Sequence, residues 1–169
     1  MKILGGLFGG RIIKTSSKLG YRPTLSRVRK SIFDSLQPFH YPDVLDLFAG
    51  SGIFGFECAS RGARSITFVD SNVKTLRYLK INSEILSGPE YRFYKADAYL
   101  YLGKTFKYDL IFADPPYSKC DLLLLAKKSL EHLNKNGKFI LECEKSQEAI
   151  LGGVKKNFGD TSVLFWTKS

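Results

Sequence analysis

A chain of 169 residues, 44% hydrophobic and 14% aromatic, is long enough to bury one real core, and no run in it approaches the roughly 18 apolar residues of a membrane span. Three cysteines with no CxxC pair argue against a disulfide framework or a zinc site and for core thiols in a reducing compartment. The net charge of +10 is uneven: residues 1–43 carry eight basic side chains against two acidic ones, and the rest of the chain 18 against 14, the footprint of a polyanion binder, with a solvated basic face as the alternative.

The chain opens on Ile3-Leu4, Gly5-Gly6, Leu7-Phe8 and Gly9-Gly10. Paired glycines supply the positive φ of tight turns, so residues 2–13 read as a short hairpin. This start lacks a signal peptide's long apolar stretch, and a cytoplasmic protein is expected. After a polar link comes a helix over Leu25–Leu36, capped by Thr24 or Ser26. Its apolar stripe is Leu25, Val28, Ile32 and Leu36, which leaves Arg22, Arg27 and Arg29 for solvent or ligand. From Val44 strands and helices alternate. Strands are expected at Val44–Phe48, Ser65–Val69, Tyr91–Lys95, Tyr108–Ala113 and Lys138–Glu142. Helices fall at Phe54–Arg61, Asn72–Leu86, Ala98–Leu102, Asp121–Leu133 and Gln147–Leu151. Strands Val154–Phe158 and Ser162–Thr167 close the chain, joined by a Gly159-Asp160 turn. This alternation predicts an α/β, doubly wound Rossmann-like domain: a seven-stranded, mostly parallel sheet with one antiparallel strand. We divide the chain into a basic hairpin-helix extension, residues 1–43, and an α/β domain, residues 44–169.

The chemistry-bearing residues fall at strand ends, where open α/β sheets bind ligands. The first strand runs into Asp46-Leu47-Phe48-Ala49-Gly50-Ser51-Gly52-Ile53-Phe54-Gly55. Its glycines let the backbone turn and approach a ligand at a helix start. Gly50, Gly52 and Gly55 match the dinucleotide pattern GxGxxG, so a nicotinamide enzyme must be weighed. Asp46 points elsewhere, because a carboxylate there repels a pyrophosphate and suits the ammonium of S-adenosylmethionine. Asp70, ending the second strand, suits two ribose hydroxyls or the cap of the next helix. Asp97 suits an adenine amine or a helix cap. After the fourth strand stands Asp114-Pro115-Pro116-Tyr117. Prolines fix φ and donate no N–H, so the loop offers carbonyls, a carboxylate and a flat ring to a planar base bearing an exocyclic amine. His40 and His132 are isolated, and no metal site is expected.

These residues together resemble the class I S-adenosylmethionine-dependent methyltransferases that act on amino groups. The stretch Gly5-Gly6…Gly10-Arg11, Arg22-Pro23-Thr24-x-x-Arg27-Val28-Arg29 and Phe33 resembles, more narrowly, the RsmD family of bacterial 16S ribosomal RNA guanine-N2 methyltransferases, over about Ile3 to Glu144. The family usually has a basic residue where Gly9 stands and often Asp where Ser26 stands. The resemblance implies a donor site of Asp46, Phe48, Gly50, Ser51, Gly52, Asp70, Ser71, Asp97 and Ala98. It implies catalysis by Asp114, Pro115, Pro116 and Tyr117. RNA contacts would come from Arg11, Arg22, Thr24, Arg27 and Arg29, although Arg22 or Thr24 could hold the donor's carboxylate instead. The partner it implies is 16S rRNA or the assembling small subunit, and the chain is taken as a monomer. A DNA adenine-N6 methyltransferase would share every catalytic residue, but the chain has little room for a target-recognition domain. A dehydrogenase is disfavoured by Asp46 and the Pro-Pro loop. A binding module on an inactive methyltransferase fold is disfavoured by the intact acidic residues.

Overall fold

The computed structural model describes residues 1–16, 25–116 and 119–169, so Arg22, Thr24 and Tyr117 lie outside the described residues. After helix α1 (Ser26–Ser35) the order is β1 (Asp43–Leu47), α2 (Ile53–Ser60), β2 (Ser65–Asp70), α3 (Val73–Ile85), β3 (Glu90–Lys95) and α4 (Ala98–Tyr101), then β4 (Tyr108–Ala113), α5 (Leu122–Glu131), β5 (Leu133–Glu144), β6 (Val154–Phe158) and β7 (Thr161–Thr167). One seven-stranded sheet has the order β3-β2-β1-β4-β5-β7-β6. Strand β7 alone runs against the others, antiparallel to both β5 and β6. The expected fold class is therefore the observed one.

Strand alternation splits the apolar side chains between two faces. Val44, Phe68, Leu110, Phe112 and Ile140 pack with α1, α2 and α3. Leu45, Leu47, Ile111, Leu141 and Leu164 pack with α4 and α5. Because both faces are covered, the central strands read as continuous apolar runs. Among the described residues no helix is long and apolar enough to cross a membrane. Cys58 and Cys143 are buried in these cores, and Cys120 is half-buried.

Chain reversal between β1 and β4 positions the site. From β1 the chain crosses to β2 on one side and later returns to β4 on the other. The loops leaving these two carboxyl ends diverge and open a crevice.

Three expectations are corrected. Gln147–Leu151 is not a helix: residues 147–150 are irregular. Leu151 (φ 49°) and Gly152 (φ 71°) turn the chain there. The Ile150 carbonyl instead accepts from Gly153 N–H and from Trp166 Nε1 (3.1 Å). Ser26 does not cap α1, whose N-cap is Leu25 with no side-chain bond.

The third correction is Arg29, expected to face a ligand. It is 2% exposed. Its Nη2 donates to the Lys2 carbonyl at 3.0 Å and its Nε lies 4.0 Å from Glu57 Oε1. Burial lowers its pKa, Glu57 raises it and Arg61 lowers it. Glu57, fully buried on α2, also accepts from Leu4 N–H at 2.6 Å and from Arg61 Nη1. The Arg61 guanidinium lies 4.3 Å over the Phe33 ring. The predicted N-terminal hairpin thus carries an antiparallel Lys2–Ile12 bridge and is fastened to α2 by charge as well as by Ile3 and Phe8.

Breaking a buried ion pair strands its partner. Glu57→Ala is expected to lower stability by about 3–5 kcal/mol in urea denaturation. A loss below about 1 kcal/mol would mean that solvent reaches these charges.

Candidate functional site

The site starts from a packing constraint. Gly52 is the N-cap of α2 with φ 73°. A Cβ there would lie 2.2 Å from Leu79 Cδ2, and one at Gly55 would lie 2.4 Å from Phe68 Cε1. The start of α2 therefore packs against α3 at Gly52 and against the sheet at Gly55 with no room for a Cβ at either. That approach lets Gly55 N–H donate to Asp46 Oδ2 at 3.0 Å. Before the helix, Phe48 and Gly50 hold φ of 56° and 52°. For Phe48 this left-handed conformation costs about 1–3 kcal/mol. Asp70 at the end of β2 ties the loop down: its Oδ2 accepts from Gly50 N–H at 3.0 Å and its Oδ1 from Asn72 N–H at 2.8 Å. Asn72, not Asp70, caps α3.

A cavity of about 590 Å³ occupies the crevice. It brings together Asp46, Phe48, Gly50, Ser51, Asp70, Ser71, Asp97, Ala98, Asp114, Pro115 and Pro116, residues drawn from four strand ends. Gly52 does not line it and acts through the helix approach instead. Asp97 caps α4, with Tyr99 N–H at 2.9 Å and Leu100 N–H at 3.1 Å both donating to Oδ1. The cap therefore leaves Asp97 Oδ2 out. Stacked rings of Phe54 and Phe112, 3.9 Å apart, form an apolar wall.

Among the described residues, five carboxylates (Asp46, Asp70, Asp97, Asp114, Glu142) and one lysine, Lys119, line the cavity. Such a lining attracts a cation and repels a pyrophosphate. Asp46 is the most buried of the four aspartates, at 2% exposed. Desolvation pushes its carboxyl well above the usual range; the Gly55 N–H opposes this, and Asp70 adds to it. A carboxylate held this way gains its charge most readily beside a bound cation. The donor set therefore fits a ligand with an ammonium, a ribose and an adenine. Among the described residues no three His, Cys, Asp or Glu side chains converge as metal ligands would.

Glu142, 5% exposed on β5, escaped the sequence reading because it looked like the last residue of a strand. The one available signal was its place at the carboxyl end of a strand beside β4. Of the arginines assigned to substrate, Arg11 is exposed but spends Nη1 on the Ile85 carbonyl at 2.9 Å. Arg27 is exposed near the Gly159 turn, and Arg29 is buried as described.

The family model "Conserved hypothetical protein 95" matches residues 1–166. The chain is 32% identical to "Putative rRNA methyltransferase YlbH" of Bacillus subtilis, over 99% of each chain. It is 31% identical to "Ribosomal RNA small subunit methyltransferase D" of Escherichia coli, over 81% of this chain and 68% of that one. Among solved structures, "Putative methyltransferase yhhF" from Escherichia coli superposes with a TM-score of 0.86 at 25% identity, over 99% of this chain and 97% of that one.

A group whose folded pKa is raised contributes stability below its unfolded pKa, and this is lost as pH rises through the folded value. Asp46→Asn removes that loss while keeping an acceptor for Gly55 N–H. The variant is expected to melt about 2 °C or more above the wild type near pH 8, with the gap closing toward about pH 4. Calorimetric scans across pH check this.

Proposed function

Because the chain belongs to the RsmD family of methyltransferases, we propose that it transfers a methyl group from S-adenosylmethionine to the exocyclic N2 amine of a guanine in 16S ribosomal RNA. The observation that carries this reading is that Asp114, Pro115 and Pro116 border the same cavity as Asp46, Asp70, Asp97 and the glycine loop. A donor site and an amine-directing loop thus share one chamber. When bound, S-adenosylmethionine supplies an electrophilic methyl group on a sulfonium. Asp46 is suited to its ammonium, Asp70 to its ribose and Asp97 Oδ2 to its adenine amine. Phe48, Gly50, Ser51, Ser71 and Ala98 shape the wall around it.

An exocyclic amine is a poor nucleophile, because its lone pair is delocalised into the ring. Asp114 and the Pro115 carbonyl accept the two N2 hydrogens, which orients the nitrogen and draws its lone pair out of conjugation. Prolines suit this role because their fixed φ holds the carbonyls in place before the base arrives. The nitrogen becomes acidic only as its new bond forms, so Asp114 can take the released proton without being a strong base. Catalysis is then positioning plus electrostatics. Tyr117 stacks on the base, which has left its helical stack, a contact worth roughly 1–3 kcal/mol. The excess of basic residues in the first 43 positions supplies attraction to RNA phosphates, with Arg11 and Arg27 on the exposed surface.

Asp114→Asn is expected to lower methyl transfer by about a hundredfold or more while donor binding persists. Tritiated methyl transfer to undermethylated small-subunit particles, free 16S RNA and DNA checks this, followed by nucleoside analysis. The expected product is N2-methylguanosine in ribosomal RNA. Label recovered as N6-methyladenine in DNA would overturn the proposal.

A further inference from the structure

Glu142 has no role in the scheme above, yet it occupies a telling position. In the parallel pair β4–β5, Ala113 faces Leu141. Asp114 and Glu142 each follow that last pair by one residue, and both line the 590 Å³ cavity. A second cavity of about 300 Å³ lies across the proline loop and shares Pro115, Pro116, Cys120 and Glu142 with the first. Its remaining wall mixes Leu122, Leu123 and Ile150 with Glu144, Ser146 and Gln147. Glu142 and the loop thus form the partition between the two chambers. A chamber of mixed lining suits an unstacked base, since its faces are apolar and its edge carries the hydrogen bonds.

The chemistry of that edge discriminates between purines. In guanine the N2 amine neighbours N1–H, so these two adjacent groups present donors only, with the O6 acceptor beyond them. In adenine the N6 amine neighbours N1, which is an acceptor. An ionised carboxylate accepts and does not donate. A second carboxylate beside Asp114 therefore matches guanine and sets lone pair against lone pair with adenine. Glu142 already holds a contact within the protein, but a carboxylate has about four acceptor positions, so it can serve both.

We propose that Glu142 is the residue that selects guanine over adenine, by accepting from N1–H while Asp114 and the Pro115 carbonyl hold the N2 hydrogens. The inference rests on the methyl-transfer reading of the same site. It explains a choice that the Asp-Pro-Pro-Tyr loop cannot make, because that loop suits either amine.

The test uses 2-aminopurine, which keeps the amine but has an acceptor at N1. Once nucleoside analysis has located the methylated guanosine, splinted ligation places 2-aminopurine there in the RNA substrate. The wild-type enzyme is expected to methylate the analogue at least about tenfold more slowly than guanosine. Glu142→Gln, whose amide can donate to N1, should slow guanosine methylation by about tenfold or more and narrow or invert the guanosine-to-analogue ratio. Comparing two enzymes on one pair of substrates cancels the intrinsic reactivity of the bases. Unchanged S-adenosylmethionine binding by the variant shows that its fold is intact. A variant slowed equally on both substrates, or not slowed at all, overturns the proposal. If the variant does not fold, the wild-type comparison decides, and equal rates on the two bases overturn it. A wild-type enzyme that methylates no guanine N2 removes the parent reading as well, a result distinct from all of these.

Discussion

The start of helix α2 packs so closely against Leu79 on α3 and Phe68 on β2 that positions 52 and 55 leave no room for a Cβ, and the rest of the site follows from that packing. It brings Gly55 N–H onto the Asp46 carboxylate and forces the preceding loop through the left-handed conformations of Phe48 and Gly50. Asp70 holds the loop from the neighbouring strand. The parallel register then aligns the carboxyl ends of β1 and β4, so the Asp114 loop opens toward the same crevice. Backbone strain at Phe48 is sustained because the packed helix and the two carboxylates over-determine the loop.

Charge is partitioned in the opposite sense to the whole molecule. The chain carries +10, yet the described residues that line its main cavity include five carboxylates and one lysine. A basic exterior draws a polyanion to the surface, whereas the acidic chamber favours a cation and disfavours phosphate. That separation suits the proposed reaction, whose acceptor is a base of a polyanionic RNA and whose donor is a sulfonium. Inside the chamber Asp46 is destabilising while it waits, since burial raises its pKa. Stability given up at a binding group is a recurrent cost of function.

Much of this was legible from residue order. Strand and helix alternation gave the sheet, because central parallel strands are apolar along their whole length. The glycine loop and the acidic strand ends marked residues that line the main cavity, because open α/β sheets gather such residues at one edge. What could not be read depended on contacts between distant segments. Arg29 looked solvent-facing from its helical position, but the buried Glu57, far along the chain, draws it inward. Glu142 looked like a strand residue, and only the β4–β5 pairing brings it to the cavity that Asp114 lines. Gln147–Leu151 had helical composition, but the turn at Leu151-Gly152 breaks it. Asp97 proved to be a cap and a cavity residue together, since the cap uses one oxygen alone.

The central claim is that one edge of the sheet holds a methyl donor against an amine-directing loop. A crystal structure of the complex with S-adenosylhomocysteine tests it most directly. The account predicts the ammonium at Asp46, the ribose at Asp70, the adenine near Asp97 and the sulfur facing Asp114 and Pro115. A ligand bound with its sulfur turned away from Asp114, or outside the cavity between β1 and β4, would contradict it.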